Sequence, residues 1–224
     1  MIALPMIRSA EELEALVHEI GFLPFFRCGI PGFSLEELTP KEMWFKEGVE
    51  GPWEWREIMA AEGRIGYGKL TKNKAAFIDP ALLPLLVNYR RDGYDYDARY
   101  DDGLMKNREK IVMDAVEKNG PMLSSELKKY CGFGKDGLKG FDGVLTSLQM
   151  QTYLMVREFV YKKDRQGKTY GWGVGRYAKP ETIFGETLVT ARYEQDPQES
   201  FRELIGILSG RTRLDTESLQ KILR

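Results

Sequence analysis

Residues 137–177 read GLKGFDGVLTSLQMQTYLMVREFVYKKDRQGKTYGWGVGRY, and in them the apolar period changes from helical to extended. Leu138, Phe141, Leu145 and Leu148 fall at offsets 0, 3, 7 and 10, one stripe of a 3.6-residue period, which predicts a helix from about Gly137 to Leu148. From Tyr153 to Tyr161 the period is two, a strand. Lys162-Lys163-Asp164-Arg165-Gln166-Gly167-Lys168 is a polar hairpin tip, and Thr169 to Tyr177 is the returning strand.

Two more helices precede this stretch. Leu104 to Asn119 places Leu104, Ile111, Val112, Ala115 and Val116 on one side and stops at Gly120-Pro121. Ser124 caps a short helix, Ser125 to Tyr130, and Gly132-Phe133-Gly134 makes the turn into the third. Helix, helix, helix, strand, basic loop, strand is the order of a winged helix-turn-helix. Its third helix is then expected at a major groove and its wing along the phosphates.

The flanks are less regular. Ser9, with Glu12 three residues on, caps a helix whose apolar face is Leu13, Leu16, Val17 and Ile20. Residues 21–38 are aromatic and broken by Gly and Pro, which predicts loop and short strand. Trp53 and Trp55 share one side if Pro52-Trp53-Glu54-Trp55-Arg56 is extended, and they suit core packing better than base stacking. Gly66–Leu70 and Ala75–Ile78 read as strands around Thr71-Lys72-Asn73-Lys74, and Asp79-Pro80 opens a helix to Tyr89. Arg90 to Gly103 holds five Asp and three Tyr with almost no aliphatic residue, a solvated linker in composition. Two helices are expected after Asp196-Pro197. The chain is therefore expected to be α+β: a small α+β N-terminal domain with a Trp-rich segment (1–90), an acidic linker (91–103), a winged helix (104–177) and a C-terminal helical extension (178–224).

Across 224 residues, 33 Lys plus Arg nearly balance 34 Asp plus Glu, but the balance is local. Residues 1–103 carry a net −6 and residues 104–177 a net +6, so the middle segment alone attracts a polyanion. The single histidine, His18, excludes sites that need two, and no metal is expected. Gly167-Lys168-Thr169 has Lys162 where a phosphate loop needs its first glycine, and Gly171-Trp172-Gly173-Val174-Gly175 precedes no helix, so neither a nucleotide nor any other cofactor is expected. Cys28 and Cys131 as separate thiols, no leader-like start and no long apolar run give the expectation of a cytoplasmic protein away from membranes.

Trp53-Glu54-Trp55-Arg56, Tyr67-Gly68-Lys69-Leu70, Leu82-Leu83-Pro84 and Phe141-Asp142 running into Leu148-Gln149-Met150-Gln151 resemble the bacterial AlkZ-related proteins over about residues 10–220. These are distant relatives of the AlkZ/YcaQ DNA glycosylases, which are built from tandem winged helices. The resemblance implies DNA, double-stranded, as partner, and a role in repair or regulation. In the glycosylases a Gln-x-Gln or Gln-x-Asp pair is catalytic, and Gln149-Met150-Gln151 stands at the matching kind of place. Two carboxamides on one side of a strand would hold a water against the sugar carbon and stabilise developing positive charge. The glycosylases' His-x-Pro motif has no counterpart, since Glu19-Ile20 follows His18.

The leading expectation is backbone-directed DNA binding without catalysis. It assigns Lys162, Lys163, Arg165 and Lys168 on the wing, with Lys135, Lys139 and Thr146 at the third helix. The alternatives are a DNA N-glycosylase for alkylated or bulky bases using Gln149 and Gln151, and a winged helix used only for protein contact.

Overall fold

The computed structural model describes residues 4–45 and 48–224. Helix α1 (Ala10–Ile20) starts at Ser9, whose hydroxyl accepts the Glu12 N–H, and stops at Gly21 in the left-handed region. Then come β1 (Phe22–Pro24) and α2 (Leu35–Leu38). Helix α2 sits within the stretch expected to be loop, because Ser34 accepts the Glu37 N–H and caps it.

The Trp-rich segment is helical, α3 (Pro52–Glu62), so the condition under which its two indoles would share a side is not met. Pro52 suits the first helical position, and Glu54 reaches back to the Gly51 N–H at 2.9 Å. Two residues of helix turn about 200°, so the indoles part. Trp55 enters the core, and Trp53 stays at the surface of the packed unit beside Trp44.

Strands β2 (Gly66–Thr71) and β3 (Lys74–Ile78) pair with β1 in an antiparallel sheet of order β1-β3-β2, with Phe22 opposite Ile78 and Tyr67 opposite Phe77. The turn between β2 and β3 puts Lys72 and Asn73 at positive φ. Helix α4 (Leu83–Arg91) follows.

Residues 91–103 are not bare chain. They hold α5 (Tyr96–Asp101), capped by Asp95 through the Ala98 N–H, and Arg91 is only 3% exposed. The Arg91 guanidinium donates to Glu181, to the Tyr193 hydroxyl at 2.6 Å and to the Thr152 carbonyl at 2.8 Å. Composition gave the stretch its polar look, while the buried Arg91, with the Tyr153 hydroxyl on the Tyr94 carbonyl and Tyr96 and Tyr100 packed on the core of residues 105–154, ties it into the structure.

Next come α6 (Asn107–Asn119), β4 (Met122–Leu123), α7 (Ser124–Tyr130), α8 (Phe141–Met150), β5 (Met155–Lys163) and β6 (Thr169–Ala178). The sheet order is β4-β6-β5, antiparallel, with Met122 opposite Tyr177 and Lys163 opposite Thr169. Helix α8 begins later than its apolar stripe suggests, because Gly140 at φ 81° turns the chain just before Phe141. Helices α9 (Pro180–Phe184), α10 (Glu186–Val189), α11 (Pro197–Thr212) and α12 (Thr216–Leu223) complete the order.

Two cores organise these elements. Met105, Val112, Val116, Leu127, Phe141, Leu145, Leu148 and Leu154 belong to one, built within residues 105–154. The other joins α1, α3, α4 and the first sheet to Met155, Val156 and the tail, through Phe201, Leu204, Leu208, Leu219 and Ile222. The tail is therefore part of the first core's wall. Thr71 donates to the Ile222 carbonyl at 2.6 Å, Arg90 to the Leu223 carbonyl at 3.0 Å, and Asn88 to Ser200 at 2.9 Å.

Candidate nucleic-acid interface

The tip of the β5–β6 hairpin carries four cations and one acid, Asp164, which is bonded within the turn. Asp164 accepts the N–H groups of Gln166 (2.8 Å) and Lys168 (2.9 Å), and Gly167 takes the positive φ that closes the turn. Lys162, Lys163, Arg165 and Lys168 are exposed, and none has a carboxylate within 4.0 Å among the described residues. With Asp164 among them the four cations leave the tip a net positive charge, which a further anion would offset.

The hairpin is braced on the first unit. Arg157 donates to the Ala61 carbonyl at 2.6 Å at the end of α3, and the Tyr161 hydroxyl donates to Glu57. Burial pushes the Glu57 carboxyl above its usual range, the Tyr161 hydrogen bond and Arg56 opposing it. Burial, then the Glu57 contact, pushes the Tyr161 phenol up to about 12.

The residues assigned around the third helix are arranged differently. Lys135 and Lys139 lie on the loop before α8, both exposed, since α8 starts only at Phe141. The Lys139 ammonium is held by the carbonyls of Gly134, at 2.7 Å, and Lys135. Thr146 does sit on α8, but its hydroxyl donates to the Asp142 carbonyl and accepts from the Lys69 ammonium, each at 2.7 Å.

Gln149 and Gln151 do not share a strand face, which corrects the expectation drawn from their spacing. Gln149 lies within α8 and Gln151 caps its end, so the helical turn separates them. Gln149 is 1% exposed: its Oε1 accepts the backbone N–H of Lys69 at 3.0 Å and its Nε2 donates to the Leu145 carbonyl at 3.0 Å. Gln151 donates instead to Ser147, at 3.0 Å, and to Glu109, at 3.3 Å. A groove of about 460 Å³ runs between β2 and α8 past Lys69, Asn73, Thr146, Ser147 and Gln151, and Gln149 does not line it.

Lys69, which ties β2 to α8, went unassigned in the sequence because its partners lie about 80 residues away. Trp172 went unassigned because its Gly-x-Gly setting drew attention only as a nucleotide-loop likeness. It stands on β6, 72% exposed, with its ring 6.0 Å from that of Trp53.

A larger cavity, about 700 Å³, lies where Arg91, Tyr153, Glu181 and Tyr193 meet. Arg91 stacks over the Tyr153 ring at 4.8 Å, so this cation serves the junction between units. No helix among the described residues is long and apolar enough to cross a membrane.

No curated protein and no solved structure matches the chain. A family model described as AlkZ related matches residues 7–224, nearly the whole length. The two-core α+β chain, with its charged hairpin and its Gln-x-Gln helix end, belongs to the AlkZ-related family.

Proposed function

We propose that this protein binds double-stranded DNA through the phosphate backbone, with the β5–β6 hairpin as its principal contact. The observation that carries the reading is the tip's net positive charge: four exposed cations against one acid, Asp164, which is bonded within the turn and pairs with none of them. Membership of the AlkZ-related family supports a DNA-directed role in repair or regulation. In this reading α6 to α8 with the β4-β6-β5 sheet act as a winged helix, and β5 and β6 form the wing.

Base reading by α8 has little to work with. Its Thr146 and Gln149 side is packed on β2 through Lys69, and its exposed first turn offers Asp142 and Gly143. Direct readout needs forked donors such as Arg, Asn or Gln at base edges. Lys135 and Lys139 add positive charge ahead of α8 and contribute to holding phosphates rather than reading bases. The buried, doubly bonded Gln149 offers no free carboxamide to a sugar, so the arrangement favours binding over glycosidic cleavage.

Fluorescence anisotropy of a labelled duplex between about 50 and 200 mM salt tests the reading, because counterion release makes such binding fall steeply over that range. Replacing Lys162, Lys163 and Arg165 together with Ala should weaken binding to all sequences alike and make the log–log salt slope shallower by up to about 3. An unchanged slope would remove the hairpin from the interface.

A further inference from the structure

Between α3 and the hairpin lies a cleft of about 350 Å³ walled by aromatic rings. Trp44 meets Trp53 edge to face at 5.7 Å, and Trp53 meets Trp172 edge to face at 6.0 Å. Arg56 lies behind, its guanidinium 4.6 Å from the Trp53 ring centre. At the mouth stand Phe45, 82% exposed, and Trp172, 72% exposed. Single exposed apolar residues are ordinary, but two nearly bare aromatic rings on one cleft mark a surface that meets something.

The polar groups there are largely spoken for. Glu54 accepts the Gly51 N–H, and Glu57 accepts from Tyr161. The Trp53 indole N–H and the Arg56 Nε, both in residues of the wall, have no acceptor among the described residues. Both of those atoms are buried, and Glu54 is the exposed acid of the wall, so what the cleft presents to a ligand is chiefly flat π faces.

We propose that this cleft stacks an unpaired nucleobase of a nucleic-acid strand, with Trp172 and Phe45 as the stacking faces. The inference rests on the reading of the hairpin as a phosphate contact, and charge complementarity selects the occupant. Lys162 pairs in register with Tyr170, itself exposed, and Tyr170 is two residues from Trp172 on the same strand. Cations and indole therefore occupy neighbouring positions of one ribbon, about 3.3 Å apart per residue. A strand whose phosphates lie on the tip can lay a base on Trp172 without leaving the hairpin. Aromatic rings also accept proline-rich peptides, but such a ligand brings no negative charge to the four cations. Base stacking on aromatic rings is tolerant of sequence, which agrees with a contact that reads no base edges.

The test compares a labelled oligothymidylate with a base-less deoxyribose-phosphate oligomer of equal length, which presents the same phosphates and no rings. The wild-type protein should prefer the oligothymidylate by about tenfold. Trp172→Ala and Phe45→Ala should each erode that preference and leave binding of the base-less oligomer unchanged, while Trp172→Phe retains most of it. Equal binding of both oligomers by the wild type, with salt-sensitive duplex binding intact, would overturn the stacking site alone. Absence of binding to either oligomer and to the duplex would overturn it together with the hairpin reading. Quenching of tryptophan emission by oligoproline, without any preference between the oligomers, would overturn it in favour of a peptide site.

Discussion

The side-chain oxygen of Gln149 accepts the backbone N–H of Lys69 at 3.0 Å, so the middle of β2 is closed by a residue of α8 rather than by another strand. A carboxamide in that position completes the fold. It joins α8 to the acidic first unit, and it does so out of contact with water.

Replacing Gln149 with Leu leaves the Lys69 N–H buried without a partner, at a cost of about 1–3 kcal/mol. For a chain of this size, each kcal/mol corresponds to a fall of about 2–4 °C in Tm. Calorimetry or a thermal melt of the variant checks this. A Tm equal to wild type would mean that the bond contributes nothing to stability.

Glu57 gives a pH dependence whose sign can be worked out. Its folded carboxyl binds protons more readily than an unfolded one, so its contribution favours the folded state below the ordinary glutamate range and is lost as pH rises through the raised value. Glu57→Gln removes the buried charge and keeps an acceptor for Tyr161. The variant should therefore melt higher than wild type at pH 7, and the gap should close as pH falls below about 4.3, where the carboxyl is protonated in both states. A gap that widens in acid would refute the assignment of burial as the dominant influence.

The tail should be indispensable to the first unit. Ending the chain at residue 195 removes Phe201, Leu204, Ile205, Leu208, Leu219, Ile222 and Leu223 from the core. At roughly 1.5–3 kcal/mol each, their burial is worth on the order of 10 kcal/mol, comparable to the whole stability of a typical domain. The shortened protein should lose its cooperative melt, and the emission of Trp55, fully buried in that core, should move to the red. Retention of a blue-shifted, cooperative transition would show that the first unit closes without the tail.

What could be read from the residues followed the range over which each feature is decided. The hairpin was legible, its first strand read as Tyr153–Tyr161 where β5 runs Met155–Lys163, because alternation and the Asp164 turn are settled by near neighbours. Strands β2 and β3 were legible for the same reason. Helix α3 was left unassigned because Trp favours strands, while the deciding interaction, Glu54 on Gly51, is a cap that a strand pattern ignores. The place of Gln149 was hidden because its partner is about 80 residues away, and a spacing of two looks alike on a helix end and a strand. Residues 91–103 looked like linker because the anchor Arg91 finds Glu181 and Tyr193 only after the tail has folded back.

The division of the cores sets the order in which a growing chain can finish folding. The buried residues of one core lie within 105–154, and Tyr177 and the β4–β6 pairing complete it, so that part can close once β6 has been made, well before the tail. The first 90 residues emerge earlier but must wait, with Trp55, Phe77 and Leu86 unsealed, until Leu223 has been synthesised. Synthesis usually lets the N-terminal part fold first. In this protein the earliest-made hydrophobic surface is the last to be covered, and a stalled or truncated product would expose it to aggregation.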